Sequence, residues 1–480
     1  MLSQLYKSNL TLLTDLYQLT MAYGYWKNAL HLQESVFHLF FRTNPFKGHY
    51  AIAAGLHVVL EWIENCHFTD ADIDYLRSLN GNDGSPLFEE GFLTYLQNMS
   101  FDVTIDAIDE GNIAFAHEPL LRITGPIIPC QLLETALLTC INFQTLIATK
   151  ASRVCAAAQG DTVLEFGLRR AQGFDGGISA TRAAFIGGVN ATSNVLAAKL
   201  LDIPVKGTHA HAWVMMFDTE IAAFEAYAKA MPNNCVFLVD TYDSIQGVKN
   251  AIQMGKVLRD QGHEMMGIRL DSGDLATLSI QARELLNDAG FENVKIVASD
   301  SLNEYTIQSL KANGAKIDIW GVGTNLVTAQ DQPALGGVYK LAALRSPEAA
   351  TWQPKIKLSN TAIKVSNPGQ LQVRRFYDGQ GHLLFDVLYD IEMGCGTEFV
   401  EMDGHAITTP DFVDSKDLLH RWMFKGQRLR SSPSLSDMQN QAQYSLQTLP
   451  EHRGIPTYLD ANLWRLKKRL MDSHQVPNKS

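Results

Sequence analysis

Residues 235–272, CVFLVDTYDSIQGVKNAIQMGKVLRDQGHEMMGIRLDS, decide the fold of this chain. Two short apolar runs, CVFLVD and MMGIRLDS, enclose a longer segment with a helical pattern, and both runs end in polar residues. A strand, a helix and a second strand in this order predict parallel strands joined by a right-handed crossover. The stretch therefore indicates an α/β fold.

The same alternation continues through the middle of the chain. The β-rich runs are TVLEFGLRR (162–170), PVKGTHA (204–210), CVFLVD (235–240), MMGIRLDS (265–272), VKIVASD (294–300) and IDIWGVGT (317–324). Longer helical patterns separate them, the first over 179–201. Several runs are almost wholly apolar, as is typical of strands covered on both faces. A closed barrel and an open doubly wound sheet both fit this pattern, and we favour an irregular α/β barrel of parallel strands.

The flanking segments lack this alternation. Residues 1–140 begin with a helix-like segment and continue with β-rich pieces, whereas residues 346–480 mix β-like pieces with a helical tail, LDANLWRLKKRLM (459–471). We therefore predict an N-terminal α+β domain over 1–140 and a barrel domain over 141–345. The C-terminal segment over 346–480 is expected to pack back on both.

Composition excludes several classes of protein. With 46% hydrophobic and 19% charged residues, the 480-residue chain has a globular composition. A formal net charge of -11 argues against a general nucleic-acid binder. No apolar run approaches the roughly 20 residues that span a bilayer, and the N-terminus has no secretory signal pattern. The six cysteines show no CxxC spacing. We expect a cytoplasmic protein with neither nucleic-acid nor membrane partners.

Polar residues stand at the carboxyl end of each β-rich run. They are Glu165, Arg169, Arg170, His209, His211, Asp240, Asp243, Arg269, Asp271, Asp274, Ser299, Asp300, Gly321, Gly323 and Thr324. The carboxyl ends of parallel strands meet on one side of the sheet, where barrel and open α/β enzymes build their sites. The pattern therefore predicts a single functional site.

Three arginines and a glycine turn indicate an anionic ligand. The guanidinium groups of Arg169, Arg170 and Arg269 match carboxylate and phosphate oxygens bidentately. GVGTN (321–325) supplies backbone N–H groups that can converge on a phosphate. A second glycine pair, Gly336-Gly337, precedes Tyr339 and Lys340 and is a candidate to close over the same ligand.

Carboxylates in the same set suit a diphosphate substrate. Asp271, Asp274 and Asp300 are candidates to hold Mg²⁺ or to bind ribose hydroxyls, because Mg²⁺ takes one or two carboxylates and fills its other positions with phosphate and water. Asp274 fits equally well as the N-cap of the following helix.

The histidine pair His209 and His211 has two interpretations. In a strand the two side chains share a face, and such a pair binds metal in barrel hydrolases. That site needs a further His or Cys at a later strand end, and the four later runs end in neither. The alternative is a general base or a covalent phosphate carrier.

Seven segments in order resemble the nicotinate phosphoribosyltransferases along nearly the whole chain. They are TDLYQLTMAYGYW (14–26), FFRTNPFKGHYAIAAGL (40–56), EFGLRRAQGFDGG (165–177), GTHAHAWVM (207–215), RLDSGDL (269–275), SDSLNE (299–304) and GVGTNLVT (321–328). The resemblance implies an irregular α/β barrel with a sandwich-like α+β domain built from the N-terminal and C-terminal segments.

The resemblance also implies the reaction. Nicotinate and phosphoribosyl diphosphate give nicotinate mononucleotide and diphosphate, as part of NAD salvage. ATP is a co-substrate whose hydrolysis is coupled through a phosphohistidine, and Mg²⁺ is required. A homodimer with shared active sites is implied as well.

Residue roles follow from the resemblance position by position. His211 matches the phosphorylated histidine, and Arg269 and Asp271 complete the catalytic set. Tyr17, with Asp15 nearby, resembles the ring-stacking tyrosine supplied across the dimer interface, and Phe166 the residue on the other face of the ring. Arg269 is placed beside the ring carboxylate. The phosphate and ribose contacts are Arg169, Asp271, Ser299, Asp300, Gly323 and Thr324.

Two other functions are the alternatives to this one. In nicotinamide phosphoribosyltransferases an aspartate recognises the amide, and Asn190 appears at its position in GGVNATSN (187–194). A neutral residue there removes repulsion toward a carboxylate substrate, which favours the acid. A barrel metallohydrolase that uses the His209–His211 pair is the less favoured alternative.

Overall fold

The computed structural model describes residues 9–359, 361, 364–450 and 454–474. The chain forms two compact units, one of residues 1–146 with 334–480 and one of residues 147–333. The expected boundary at 140/141 falls inside a continuous helix, Glu134–Ala158. At the other boundary the unit changes between residues 333 and 334, ahead of the strand Gly337–Arg345 and twelve residues before the predicted boundary at 345/346.

Strands and helices are numbered in chain order. The strands are β1 Glu34–Phe41, β2 Ala51–Ile52, β3 Thr104–Ile108, β4 Ile113–Ala114, β5 Pro119–Pro126, β6 Thr162–Glu165, β7 Ala191–Thr192, β8 Val236–Leu238, β9 Gly267–Leu270, β10 Lys295–Ala298, β11 Ile319–Val322, β12 Gly337–Arg345, β13 Gln353–Pro354, β14 Leu371–Tyr377, β15 Leu383–Asp390, β16 Phe399–Val400, β17 Asp414–Asp417, β18 Leu419–Phe424, β19 Gln427–Arg428 and β20 Thr457–Asp460. The helices are α1 Leu16–Lys27, α2 Leu56–Asn65, α3 Asp70–Arg77, α4 Glu90–Gln97, α5 Ile127–Leu132, α6 Glu134–Ala158, α7 Gly173–Ile186, α8 Val195–Leu201, α9 His211–Val214, α10 Glu220–Ala230, α11 Ser244–Asp260, α12 Leu275–Asp288, α13 Glu304–Ala312, α14 Thr324–Val327, α15 Leu435–Gln447 and α16 Ala461–His474. Short 3₁₀ turns cover Leu30–Leu32, Pro45–Lys47 and Leu168–Arg170.

The second unit is built on a parallel sheet. Its strand order is β7-β6-β11-β10-β9-β8, and each neighbouring pair is parallel. Strand residues such as Ile268, Ile296 and Trp320 are completely buried. The alternation of strands and helices predicted from the sequence is therefore correct for this unit.

One predicted helix and one predicted strand are wrong in detail. The pattern over 179–201 predicted a continuous helix, but α7 ends at Ile186 and β7 and α8 follow. The break comes at Gly187-Gly188, where Gly188 takes a φ of +114° that L residues rarely adopt. The run 204–210 adds only a single bridge, from Val205 to Thr192, instead of a strand.

The barrel is irregular because hydrogen-bonded strand pairing is interrupted at one position, which we call the seam. Within residues 147–333, all of which are described, no strand pairing joins the Val205 bridge to β8. Instead, the Leu238 backbone N–H donates to Nε2 of His209 at 3.3 Å. A side chain therefore crosses the seam where a strand would otherwise lie.

The first unit carries two larger sheets. An antiparallel sheet runs β13-β12-β1-β5-β3-β18-β19, so that C-terminal β18 pairs with N-terminal β3. A second sheet runs β16-β20-β15-β14-β17. The sequence segments before and after the parallel sheet thus form one α+β unit, as expected. In the described residues, every helix is too short or too polar to cross a membrane.

Candidate active site

A cavity of about 1140 Å³ opens at the carboxyl ends of the parallel strands of the second unit. Its lining includes Phe166, Arg169, Arg170, Ser193, Thr208, His209, Arg269, Asp271, Ser299, Asp300, Gly321, Gly323, Thr324 and Asn325. These residues come from six segments of the sequence, which the fold brings together. Most of the residues predicted at the strand ends therefore share one cavity.

A buried carboxylate shapes the loop after β6. Glu165 is 1% exposed, and its oxygens accept hydrogen bonds from the hydroxyls of Thr181 (2.9 Å) and Thr192 (2.6 Å) and from the backbone N–H of Gly167. Both carboxylate oxygens thus accept hydrogen bonds from within the fold. Glu165 therefore positions the Phe166–Arg170 loop instead of meeting a ligand.

Phe166 is held beside β11 by close packing. Its backbone N–H donates to the carbonyl of Val322 at 2.8 Å. A Cβ on Gly321 would lie 2.6 Å from Cδ2 of the Phe166 ring, closer than real Cβ atoms approach. The glycine is needed because the ring occupies the space that a side chain would fill. The ring thus lines the cavity in a defined position.

Arg269, Asp271 and Ser299 form a compact polar network. Arg269 donates from Nε to the Ser299 hydroxyl at 2.8 Å and from Nη1 to the Thr208 hydroxyl at 2.7 Å. Its Nη2 lies 3.3 Å from Oδ2 of Asp271, while the Ser299 hydroxyl donates to Oδ1 at 2.6 Å. The network joins β9, β10 and the loop before α9. It holds the Arg269 guanidinium in place at the cavity wall.

His211 begins helix α9 and lies next to this network. Its Nε2 is 3.6 Å from Oδ2 of Asp271, and its Nδ1 is 3.1 Å from the Thr241 hydroxyl. The side chain is 40% exposed, so solvent or a ligand can reach it. One ring nitrogen is therefore oriented by a hydrogen bond, and the imidazole remains accessible.

Arg169 and Arg170 are the unpaired cations of the cavity. Both are exposed, and neither guanidinium has an ion-pair or hydrogen-bond partner among the described residues. An unpaired guanidinium that faces a cavity attracts an anion, because its donor fork is unused. The cavity is therefore locally positive in a chain of net charge -11.

The GVGTN loop is fastened to the neighbouring strand end. Asn325 donates from Nδ2 to the carbonyls of Ser301 (3.0 Å) and Leu302 (2.9 Å). Gly323 and Thr324 lie at the cavity, with the side chain of Asp300 on the adjacent loop. The two loops thus form one wall of the cavity, to which Asp300, Gly323 and Thr324 all belong.

Comparisons with known proteins agree with this geometry. The chain matches the model of the nicotinate phosphoribosyltransferase N-terminal domain over residues 12–142 and the model of the nicotinate phosphoribosyltransferase family over residues 162–369. The nicotinate phosphoribosyltransferase of Bacillus subtilis is 42% identical, covering 98% of this chain and 96% of the relative. The chain belongs to the nicotinate phosphoribosyltransferase family.

Solved structures support the same assignment. The crystal structure of human nicotinic acid phosphoribosyltransferase superposes with a TM-score of 0.84 at 31% identity, covering 95% of this chain and 99% of that chain. The nicotinate-nucleotide pyrophosphorylase of Pyrococcus furiosus, at 20% identity and a TM-score of 0.69, shares the fold. As a member of the nicotinate phosphoribosyltransferase family, the chain is an enzyme with a mixed α/β fold.

The structure separates the two histidines of this family member. The prediction that they share a strand face is wrong, because His209 lies in a loop and His211 begins a helix. His209 is 8% exposed, packs edge-on against Tyr227 and uses Nε2 to accept from Leu238. Burial lowers its pKa to about 4. A nitrogen already used by a backbone donor is not available to a metal.

Asn190 and Asp274, two residues predicted to bind a ligand, use their side chains within the fold. The Asn190 prediction needs correction, because its amide oxygen accepts from the Val163 backbone N–H at 2.8 Å, near the start of β6 and away from the cavity. Asp274 caps α12 by accepting from the N–H groups of Ala276 and Thr277. Gly336 and Gly337 belong to the first unit.

Asp15 and Tyr17 also belong to the first unit. Asp15 accepts from the Thr135 hydroxyl at 2.9 Å, and Tyr17 is 49% exposed at the start of α1. Desolvation and then the nearby Glu134 raise the pKa of the Tyr17 phenol. The ring is therefore presented to solvent from an ordered helix.

Sequence reasoning missed several residues of the cavity wall. Ser193, at the end of β7, lines the cavity three positions after Asn190. Thr208 and Asn325 fasten Arg269 and the GVGTN loop. β7 was hidden inside an apparent helix, so Ser193 had no strand end to mark it. Thr208 was missed because only its neighbour His209 was taken as a candidate site residue in the run 204–210.

Proposed function

We propose that the enzyme transfers the phosphoribosyl group of phosphoribosyl diphosphate to nicotinate. The pyridine nitrogen forms the new bond to C1 of the ribose, and the C1–O bond to diphosphate breaks with its electron pair on the leaving group. The observation that carries the proposal is the shared cavity, in which the Phe166 ring lies with two unpaired arginines and the Arg269–Asp271–Ser299 network. The product, nicotinate mononucleotide, would then enter the NAD pool.

The cavity supports this reaction by positioning and by charge. The Phe166 ring offers a flat apolar face to the pyridine ring, which adds about 0.5–1.5 kcal/mol beyond burial. Arg169 and the GVGTN backbone would hold phosphate oxygens, and the Asp300 carboxylate would accept from ribose hydroxyls. Holding the two substrates in line removes much of the entropic barrier, and fixed positive charge stabilises the departing diphosphate.

We assign the ATP-linked step to His211. The Thr241 hydroxyl holds Nδ1 and leaves Nε2, on the side of Asp271, to attack the γ-phosphorus of ATP. The bond from that phosphorus to the bridging oxygen breaks, ADP leaves, and water later hydrolyses the phosphohistidine to inorganic phosphate. A nearby carboxylate helps because it orients the ring and stabilises its positive charge.

The residues that face the cavity support selectivity for the acid. Ser193 presents a neutral hydroxyl, and the Asp271 carboxylate is paired with Arg269. Because Arg269 compensates the charge of Asp271, that carboxylate does not repel a carboxylate substrate bound beside the guanidinium. Nicotinamide is the second candidate substrate. We assign Asn190 no part in the choice between acid and amide, because its amide oxygen accepts from the Val163 backbone N–H in β6.

We also propose a homodimer in which the partner subunit supplies a second aromatic ring, opposite Phe166, to the pyridine site. An exposed apolar face on and before α1 supports this, formed by Leu13, Leu16, Tyr17 and Met21. Apolar side chains that monomers leave exposed together mark interaction surfaces. Tyr17 and Asp15 of each subunit would then complete the site of the other.

A steady-state assay of diphosphate release tests the proposed reaction. Nicotinate, nicotinamide and quinolinate are compared with phosphoribosyl diphosphate and Mg²⁺, each with and without ATP. We expect release with nicotinate, stimulation by ATP, and much weaker release with the other two. Preferential use of nicotinamide or quinolinate, or no release with any pyridine, contradicts the proposal.

A pair of arginine variants sharpens the same assay. Arg169→Ala removes a charged contact worth about 1.5–3 kcal/mol, so KM for phosphoribosyl diphosphate should rise at least about tenfold. Arg259→Ala is the matched control, because that guanidinium, on helix α11, is exposed, is paired with Glu264 and does not line the cavity. Equal KM values in both variants would exclude Arg169 from phosphate binding.

A further inference from the structure

Ser301 has a backbone conformation that serine rarely adopts. It follows Asp300 in the loop between β10 and α13, and its φ of +45° lies in the left-handed region. Residues other than glycine are uncommon there, and those that are held there cluster at ligand sites. Ser301 lines the cavity, one residue after the carboxylate that we propose to bind ribose. The proposed reaction itself gives Ser301 no role.

Hydrogen bonds fix the loop on both sides of Ser301. Before it, the Ser299 hydroxyl donates to the Asp271 carboxylate at 2.6 Å. After it, Nδ2 of Asn325 donates to the carbonyls of Ser301 at 3.0 Å and Leu302 at 2.9 Å, and the Leu302 side chain is buried. A costly backbone conformation persists only where the surrounding structure determines it. These contacts supply that support.

A buried ion cluster anchors the end of the same loop. Glu304, the first residue of α13, is buried, and its carboxylate lies 2.7 Å from Nζ of Lys150. It also accepts from Nε of Arg153 at 3.0 Å. Both cations belong to α6, so the start of α13 is tied to another helix. The loop therefore cannot relax at this end, and the left-handed φ of Ser301 is imposed on it.

The imposed conformation brings the Ser301 hydroxyl to the Asp300 carboxylate. Oγ of Ser301 donates to Oδ1 of Asp300 at 3.0 Å. Neighbouring side chains in an extended strand point to opposite faces, so this contact depends on the turn at Ser301. Within residues 147–333, all of which are described, Oδ2 of Asp300 has no partner. The hydroxyl thus orients the carboxylate and leaves one oxygen for a ligand.

We propose that Ser301 is a positioning residue for Asp300 in the binding of phosphoribosyl diphosphate. The inference rests on the proposed function, in which Asp300 accepts from the ribose hydroxyls. Because the Ser301 hydroxyl orients the carboxylate before the sugar binds, less rotational freedom is lost on binding. Asn325 and the ion cluster around Glu304 stabilise the left-handed backbone on which this orientation depends.

Two substitutions separate the Ser301 hydroxyl from its backbone conformation. Ser301→Gly removes the hydroxyl, but glycine adopts a positive φ without strain. Ser301→Thr keeps a hydroxyl, but a β-branched side chain disfavours a positive φ. Gln159→Gly is the matched control, because Gln159 has a φ of +52°, is exposed and does not line the cavity. Calorimetry measures the equilibrium binding of phosphoribosyl diphosphate with Mg²⁺ to each full-length variant, and Tm is measured alongside.

Affinity and stability should change in opposite directions. Ser301→Gly is expected to keep or exceed the wild-type Tm, yet to bind phosphoribosyl diphosphate about five- to tenfold more weakly, because one hydrogen bond to a charged group is lost. Ser301→Thr is expected to lower Tm and to bind with nearly wild-type affinity. Gln159→Gly should bind like wild type. If affinity follows Tm across the variants, or if Ser301→Gly binds like wild type, the positioning role is wrong.

A double substitution tests whether Ser301 acts through Asp300. Asp300→Ala removes the carboxylate that the hydroxyl orients, so adding Ser301→Gly to it should weaken binding no further. Additive losses would mean that Ser301 acts independently of Asp300, and they would overturn the proposal. Wild-type affinity in Asp300→Ala would overturn it as well. This comparison decides the question even if Ser301→Thr fails to fold.

The binding measurement is separate from turnover. If the variants bind in the expected pattern but no pyridine releases diphosphate, the positioning role stands and the proposed reaction does not. If nicotinate releases diphosphate but Ser301→Gly binds like wild type, the reaction stands and the positioning role does not. Absence of binding to the wild-type protein contradicts both.

Discussion

His211 combines accessibility with orientation. The Thr241 hydroxyl holds Nδ1, Asp271 lies 3.6 Å from Nε2, and 40% of the side chain remains exposed. His209, two positions earlier, is buried and its pKa is lowered to about 4. A neutral, buried imidazole stabilises the seam beside β8, whereas an accessible one can carry a phosphoryl group.

Replacing His211 should uncouple ATP from turnover. In His211→Ala, diphosphate release with ATP is expected to fall to the rate measured without ATP, because the acceptor nitrogen is gone. Steady-state rates and acid-labile labelling from γ-³²P-ATP are the measurements. His263→Ala is the control, since that half-buried ring is bonded to Asn233 and does not line the cavity. Equal ATP stimulation in both variants would remove His211 from this role.

At the scale of elements, β11 positions the aromatic wall. Gly321 leaves room for the Phe166 ring, and a Cβ would also lie 3.2 Å from Cβ of Ser299. The Phe166 ring and the Ser299 hydroxyl belong to loops that follow β6 and β10 on either side. One glycine in the middle strand thus sets the distance between the ring wall and the arginine network.

Filling this space should weaken binding of the pyridine more than it destabilises the fold. Overpacking costs about 1–3 kcal/mol, so Gly321→Ala is expected to raise KM for nicotinate roughly tenfold as the Phe166 ring shifts. Gly176→Ala on α7 is the control, because its Cβ meets nothing within 4 Å and alanine favours a helix by about 1 kcal/mol. Kinetics and Tm are measured together. An unchanged KM in Gly321→Ala would mean that the ring does not contact nicotinate.

At the scale of the whole molecule, the proposed shared sites predict complementation between inactive variants. In a mixed dimer of Tyr17→Ala and Arg269→Ala subunits, one site carries both substitutions and the other carries neither. When equal amounts of the two variant subunits pair at random, about half of the dimers are mixed, and each mixed dimer has one intact site of two. Activity should therefore return to about a quarter of the wild-type value. Co-expression with two affinity tags isolates the mixed dimer for assay. Mixed dimers as inactive as their parents would show that each site draws both residues from one chain.

Much of the fold was predictable because strand and helix periodicity is local. The runs at 162–170, 235–240, 265–272, 294–300 and 317–324 each contain a strand of the parallel sheet. The short strand β7 was not predictable, since it has two residues and lies between two helices. Two residues are too few to show the alternation that marks a strand. Most residues of the cavity wall could be predicted because they follow the end of a predicted strand. Ser193 was missed because β7, the strand before it, was not predicted.

The sequence by itself determined the α/β alternation, the family and the set of polar residues from which the cavity is built. Only the tertiary structure decided which of them act together. It turned His209 into the core and His211 outward, and it gave Asn190 to the start of β6 and Ser193 to the cavity. It also gave Ser301 a left-handed backbone conformation. Burial and partner choice depend on residues distant along the chain, whereas periodicity depends on neighbours.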